Sequence, residues 1–335
     1  MTNLIINQQE SNLPLVSVLV ITYNHEGFIE QCLDGIFSQD YPNIELLIRD
    51  DGSHDKTRDK IEGYFFSHQG KISNIFKNFE TENIGVVRSL NSLLDHVKGN
   101  YICLCSGDDF YSPGKIRKQV EFFQLLPTEY GVVYGDLHVI DLEGNVVHPS
   151  FYQWHLSGDH PPQGDIFRHF IWFNPIHPMS VLVRREVIDQ VGRFDEKLCF
   201  EDWDIGMRWA RNCKFHYHND IVGSYRKYTG QMTDVFWADD EKHARILQTS
   251  FMLLSKHIDL PAYKDEILKS QSGVLMSQLS GKHFARKEGM QNALFLLRNK
   301  RSLRHSAIFI LIFFNIGRFS ISLLKKAKTF LKKGK

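Results

Sequence analysis

The chain has 335 residues, of which 42% are hydrophobic and 24% charged, and a formal net charge of +1. Such a composition supports a large core and excludes a disordered or fibrous chain. Five cysteines (32, 103, 105, 199 and 213), odd in number and without metal-ligand spacing, exclude a disulfide framework and a zinc site, and a reducing compartment fits them best.

The opening MTNLIINQQESNLP has no basic segment followed by an apolar one, so no signal peptide is expected, and residues 1–13 read as an N-terminal extension. VSVLVITY (16–23) is β-branched and apolar, a strand. Residues 26–39 place Phe28, Ile29, Cys32, Leu33, Ile36 and Phe37 at helical spacing. IELLIRD (44–50) is a second strand, residues 54–68 a helix, and KISNIFKN (71–78) a third strand. Residues 85–99 form a helix ended by Gly99, and YICLC (101–105) is a fourth strand, with Cys103 and Cys105 as small core residues on one face. This alternation predicts an α/β fold with a mostly parallel, Rossmann-like sheet covered on both faces. Further on, 132–141 reads as a strand, 142–145 as a turn and 146–180, with five prolines, as loops over the sheet edge. EDWDIGMRWARN (201–212) is a helix with acids in its first turn, followed by strands at 215–219 and 221–228. From 236 onward the pattern is helical, which predicts a catalytic domain over 14–235 and a helical region over 236–335.

Ligands of such sheets sit beyond the carboxyl ends of the strands. TYN, RDDGS and SGDD all fall there. In RDDGSHDKT (49–57), helix capping accounts for Ser53 and Asp55 but not for Asp50 and Asp51 together. The adjacent Asp108 and Asp109 at the end of an apolar strand need a positive counterpart. A hard divalent cation shared with a diphosphate would supply it. The FEDWD acids (200–204) complement a helix dipole, and one of them placed beside an attacking hydroxyl is a general base. No Gly-x-Gly-x-x-Gly loop follows the first strand.

With these clusters in order, the chain resembles family 2 of the glycosyltransferases, with the A-type glycosyltransferase fold. The resemblance runs over about residues 14–235, through the opening VSVLVITYNHEGFIEQCLDGIFSQDYPNIELLIRDDGSHDKT, then ENIGVVRSLN, GNYICLCSGDDFYSPGKI and VGRFDEKLCFEDWDIGMRWA. It implies that Thr22, Tyr23, Asn24, Glu26, Ser53, Arg88 and Asn91 hold the donor and that Asp51 bonds its base, as in uracil recognition. It implies Asp108 and Asp109 at a Mg²⁺ or Mn²⁺ site, with Asp108 also on the donor. Asp202 would be the catalytic base, with Glu201 and Trp203 beside it on the acceptor side. The implied reaction is inverting transfer of a hexose or N-acetylhexosamine from a nucleotide-diphosphate sugar, UDP-linked, to a glycan or lipid-linked saccharide of a surface polysaccharide such as O-antigen or capsule. Two positions depart from the family: Ser106 stands where a first acid is common, and Tyr228 where many members carry a possible His ligand. They motivate the rival expectation of a non-catalytic sugar-nucleotide or glycan-binding protein.

The near-zero net charge conceals a split. No Asp or Glu follows Glu288, and residues 289–335 carry eleven Lys or Arg, which leaves −10 on residues 1–288. SAIFILIFFNIGRFSISLL (306–324) is the most apolar run, interrupted by Arg318. The charge-free part falls short of the ~20 residues of a span. A basic amphipathic helix on a membrane surface is favoured over a core helix or a span, with Phe309, Ile310, Phe313, Phe314 and Leu324 toward lipid and 325–335 toward anionic headgroups. The apolar block makes membrane a better partner than nucleic acid. The expected location is the cytoplasm, peripherally on the inner membrane.

Overall fold

The computed structural model describes residues 13–231, 239–280 and 285–313. The chain divides into two units, one ending at Tyr228 and the other beginning at Thr229. The first contains one mixed sheet of nine described strands: β1 (Val16–Thr22), β2 (Ile44–Asp50), β3 (Asn74–Phe79), β4 (Tyr101–Ser106), β5 (Phe110–Tyr111), β6 (Tyr130–Ile140), β7 (Val146–His148), β8 (Val181–Arg184) and β9 (Lys214–Arg226). Their order is β3-β2-β1-β4-β8-β6-β9-β5, with β7 on β6. Strands β1 to β4 are parallel; β8 runs antiparallel between β4 and β6.

Helices α1 (Ile29–Phe37), α2 (Thr57–Ser67) and α3 (Val86–Leu94) make the crossovers between the parallel strands. β2 is buried along its whole length, as a strand covered on both faces must be. α1 buries Ile29, Cys32, Leu33, Ile36 and Phe37, the stripe its spacing predicts. Because β1 has β2 on one side and β4 on the other, strand order reverses there, which opens a crevice at the carboxyl ends. The register is tight: Thr22 lies opposite Asp50, and Ile21 opposite Ser106. Three polar clusters, far apart in sequence, therefore share one sheet edge.

Beyond β5 come α4 (Lys115–Leu125), α5 (Phe151–His155), α6 (Phe167–Phe170), a 3₁₀ turn at Pro178–Ser180, α7 (Arg185–Val191) and α8 (Asp202–Asn212). Three expectations need correcting. The third strand begins at Asn74, not Lys71. Residues 146–180 hold a strand and two short helices; elements of three to five residues are too short to show a period. The strands expected at 215–219 and 221–228 are one strand, β9, parallel to β6 with a register shift near Asp136. Asn219–Asp220 has the look of a turn, yet pairing with β6 carries the chain straight through it.

The second unit contains α9 (Asp240–Ser255), α10 (Lys264–Ser280), α11 (Arg286–Asn299) and α12 (Leu303–Phe313). The Asp239 carboxylate caps α9, accepting from the N–H groups of Glu241 and Lys242 at 2.9 Å each. Phe251, Leu268, Leu275, Ala293, Leu296, Ile308 and Ile312 form its core. Ile310 and Phe313 are exposed, but Phe309, expected to face lipid, packs against that core. Phe314, Arg318, Leu324 and the Lys cluster lie outside the described residues, as do residues 1–12. No described helix is long and apolar enough to cross a membrane.

Candidate active site

Two loops of the sheet edge are tied to each other by reciprocal bonds. Asn24, just past β1, takes φ 55°, a left-handed conformation that Asn tolerates. Its N–H donates to Ser53 Oγ at 2.8 Å, and its Oδ1 accepts from His54 N–H at 2.9 Å. Glu26 Oε2 accepts from Lys56 N–H at 2.9 Å, and Glu26 N–H donates to Asp55 Oδ2 at 3.0 Å. Ser53 Oγ donates in turn to Asp50 Oδ2 at 2.5 Å. The structure thus brings Thr22, Tyr23, Asn24, Glu26 and Ser53 together, with Tyr23 exposed and set edge-on to His54.

Other expected donor residues have work within the fold. Buried Asp51 accepts from the N–H groups of Ile84 (3.1 Å) and Gly85 (2.9 Å) and from Ser89 Oγ (2.9 Å), so it first of all braces the turn before α3. Asn91 is buried, with Oδ1 accepting from Phe194 N–H and Nδ2 donating to Phe194 O, both at 3.0 Å. Its geometry is that of a tie to the 194–196 segment. Arg88 remains open to solvent and pairs with Glu196 at 3.3 Å.

The opening acids also separate. Asp108 Oδ1 accepts from Ser106 Oγ (2.5 Å), and Oδ2 from Tyr228 OH (3.2 Å), with His25 Nε2 at 3.8 Å. Asp109 lies deeper, and its Oδ1 accepts from the Arg226 N–H at 2.8 Å. Burial, and then the charge of Asp108, push Asp109 well above the usual carboxylate range. Asp108 thus stands in a setting of hydroxyls, while Asp109 Oδ1 is engaged with the backbone of β9. Among the described residues no three His, Cys, Asp or Glu gather as a metal cage. The buried Thr22 Oγ1 and His25 Nδ1 have no hydrogen-bond partner, and both lie against Gly107, next to Asp108. One carboxylate with spare polar atoms around it fits a Mg²⁺-type ion that shares a substrate's phosphates and keeps its waters, and does not fit a closed protein site.

On the other side of the cleft, Glu201 stands at the N-cap position of α8, without a capping bond from its side chain, and Asp202 opens the helix. Asp202 Oδ1 accepts from Trp203 N–H (2.8 Å), and Oδ2 from Asn174 Nδ2 (2.9 Å). Trp203 Nε1 donates to Phe170 O at 2.7 Å, which fixes the ring at the helix start. Both acids line a cavity of about 20 Å³ whose other walls are mostly apolar, including Leu104, Phe170, Ile205 and Trp209. Desolvation raises both carboxyls, Glu201 to about 8, where the charge of Asp202 adds to the effect. His177 stacks near Tyr225 (4.6 Å) and is held down to about 3, mainly by desolvation, with His155 adding and Asp108 opposing. His155 in turn acts on Asp202. Through Asn174, whose backbone oxygen is bonded to His155 Nε2 at 2.9 Å, the loop after α6 ties His155 to Asp202. Sequence reasoning passed over His25, Asn174, His177 and Arg226; only their contacts with residues far along the chain mark them.

The profile of glycosyl transferase family 2 matches residues 17–192. The chain belongs to glycosyltransferase family 2. It is 27% identical over 228 residues to the uncharacterized glycosyltransferase RT0329 of Rickettsia typhi, covering 68% of each chain. A longer uncharacterized glycosyltransferase of Rickettsia bellii is 25% identical, and only 41% of its length is matched. TuaG of Bacillus subtilis, a putative teichuronic acid biosynthesis glycosyltransferase, is 34% identical over 110 residues, 32% of this chain and 42% of TuaG. Solved structures show the same fold. S. aureus TarS 1–349, in complex with UDP-GlcNAc, gives a TM-score of 0.58 at 15% identity, covering 89% of this chain and 91% of that one. The mannosyltransferase PcManGT of Pyrobaculum calidifontis, in complex with GDP-Man and Mn²⁺, gives 0.57 at 19%, covering 96% and 84%. The family 2 chain described here thus has the A-type glycosyltransferase fold with a helical C-terminal region.

Proposed function

We propose that the protein is an inverting glycosyltransferase that moves a hexose or N-acetylhexosamine from a nucleotide-diphosphate sugar, UDP-linked, to a hydroxyl of a glycan or lipid-linked saccharide during surface-polysaccharide synthesis. The observation that carries this reading is a family 2 chain with Asp108 among hydroxyls at the end of β4 and Asp202 held by Asn174 at the start of α8. TuaG, TarS and PcManGT lend support through what they are described as making or binding.

Thr22, Tyr23, Asn24, Glu26 and Ser53 line the nucleotide side, and solvent-exposed Arg88, paired with Glu196, would leave that pair to reach it. Asp51 reaches a base only with lone pairs that its three bonds leave over. Asp108 would hold Mg²⁺ or Mn²⁺ together with the donor diphosphate, and the ion would supply neutralisation of the leaving group's charge. Asp202 accepts the proton of the acceptor hydroxyl. The acceptor oxygen attacks the anomeric carbon from the face opposite the diphosphate, the bond to the diphosphate breaks, and the single displacement inverts the centre, through an oxocarbenium-like transition state. Glu201 and Trp203 stand where the acceptor must pass. The tail from residue 306 would hold the protein on the inner face of an anionic membrane, near a lipid-linked acceptor.

A panel of nucleotide sugars, read by release of nucleoside diphosphate with and without EDTA, tests the reading. Asp202→Asn should lose transfer by at least about a thousandfold while donor affinity stays within a few-fold; Asn keeps the shape and cannot take the proton. Asp108→Ala should weaken donor affinity and remove any stimulation by metal. Ser106 and Tyr228 favour the second reading, a sugar-nucleotide or glycan-binding protein, and donor binding without turnover in the parent would establish it.

A further inference from the structure

Glu201 and Asp202 are adjacent acids on the acceptor side, and only one of them can serve as the base. Their exposure does not separate them, since each is partly open to solvent. What differs is the donors that reach them. Asp202 has two, at 2.8 and 2.9 Å, one to each carboxylate oxygen. The Glu201 carboxylate has its own backbone N–H, and among the described residues no side chain donates to it. Donors to the charged form favour ionisation, and two neighbouring carboxylates in a desolvated setting do not both ionise readily.

The Trp203 N–H is supplied by the start of α8 whatever side chain stands there. Asn174 is a different matter, since it comes from a loop 28 residues upstream and is itself held in place. Its Oδ1 accepts from Ile176 N–H at 3.2 Å, and its backbone oxygen is bonded to His155 Nε2 at 2.9 Å. With Oδ1 taken as acceptor, Nδ2 is the end left to face Asp202. We propose that Asn174 is the positioning residue that selects Asp202, rather than Glu201, as the ionised acid of the pair and orients its carboxylate for the acceptor hydroxyl. This rests on the transfer reading only for the word acceptor; the selection itself is a property of the protein alone. Besides Glu201, the titratable group near Asp202 is His155, on α5, whose Nε2 is bonded to the Asn174 carbonyl. On the helices packed against α8, Arg185 pairs with Asp189 (3.5 Å) and Glu186 faces Arg184 (3.9 Å), while Arg168 and His169 of α6 are exposed.

The test is a carboxyl titration of the full chain labelled with ¹³Cγ-aspartate, in which the Asp202 signal is the one missing from Asp202→Asn. In Asn174→Ala the Asp202 midpoint should rise by about one unit, a tenfold weaker acid, because a donor to the charged form is gone. In Asn174→Asp it should rise further, since a like charge replaces the donor while an oxygen remains for the Ile176 N–H. The Asp202 midpoint unmoved in Asn174→Ala, or no higher in Asn174→Asp, overturns the proposal. With a working donor and acceptor, the acid limb of kcat should move by the same amount and the donor KM should not. A titration that shifts in a protein that turns over no donor sinks the transfer reading and leaves the selection standing; turnover with an unshifted titration does the reverse.

Discussion

Gly107 is the tightest position in the site. A Cβ there would lie 2.5 Å from Thr22 Oγ1 and 2.8 Å from His25 Nδ1, so only glycine lets the ends of β1 and β4 close on each other. Gly107→Ala should cost about 1–3 kcal/mol in urea unfolding, as overpacking does, and should weaken donor affinity by moving Asp108. A stability and donor affinity equal to the parent's would contradict this geometry. His218 makes a second prediction at this scale. It is buried beneath Phe122 (4.8 Å) and is held down to about 4, chiefly by desolvation. Its unfolded value is about 6.5, so on acidification the unfolded chain takes the proton first. The contribution of a neutral His218 is thus complete above pH ~6.5 and is lost as pH falls from there toward ~4, at most about 3 kcal/mol. Unfolding of His218→Gln at pH 7 and pH 4.5 should show a shallower loss than the parent. Asp108 and Asp202 stand out in the sequence as candidates because their neighbours form recognisable clusters. Asn174 does not, because its partner is 28 positions away and no local pattern marks an amide that faces an acid.

At the scale of elements, β9 decides how the site is closed. Its last residue, Arg226, is buried, and its guanidinium donates to the carbonyls of Asp108 (3.0 Å), Asp141 (2.8 Å) and Leu142 (2.9 Å) and to Gln31 Oε1 (2.6 Å). It also lies over the Phe28 ring at 4.7 Å. One side chain thus fastens β9 to the loop that carries Asp108 and to α1. Arg226→Met should cost roughly 3–5 kcal/mol, because it strands buried acceptors and removes the cation beside Asp109. Arg226→Lys should recover only part of this, since an ammonium cannot reproduce the fork. Chemical unfolding of both variants would check the order. The parallel strands and their crossover helices were legible as alternating periods. β9 was split in two by its turn-like Asn219–Asp220, and no local pattern in sequence marks Arg226.

At the scale of the whole molecule, the described start of the C-terminal apolar run is divided between core and surface. Ile308 and Ile312 belong to the core of the helical unit, while Ile310 and Phe313 are open. Truncation after His305 should therefore destabilise that unit, as loss of two buried isoleucines does, at about 2–5 kcal/mol each. Truncation after Phe313 should leave the unit folded and remove the basic, apolar remainder. Flotation with anionic vesicles should then be lost in the shorter truncation while donor turnover persists. High salt should release the full-length protein only in part, since screening weakens attraction by Lys and leaves apolar contact in place. If the full-length protein fails to float at low salt, the membrane role is wrong.

The sequence by itself determined the parallel sheet and its loaded carboxyl edge and marked the acid clusters proposed for the reaction, because these depend on side-chain period and on clusters within a few residues. The tertiary structure decided which acids face the cleft. It turned Asp109 to the backbone of β9, spent Asn91 on a tie to Phe194 and gave Asp202 the donor from Asn174. Each of these is a hydrogen bond between residues tens to more than a hundred positions apart. Such bonds depend on strand order and register, which the antiparallel β8 and the long β9 set, and no local run of residues encodes them.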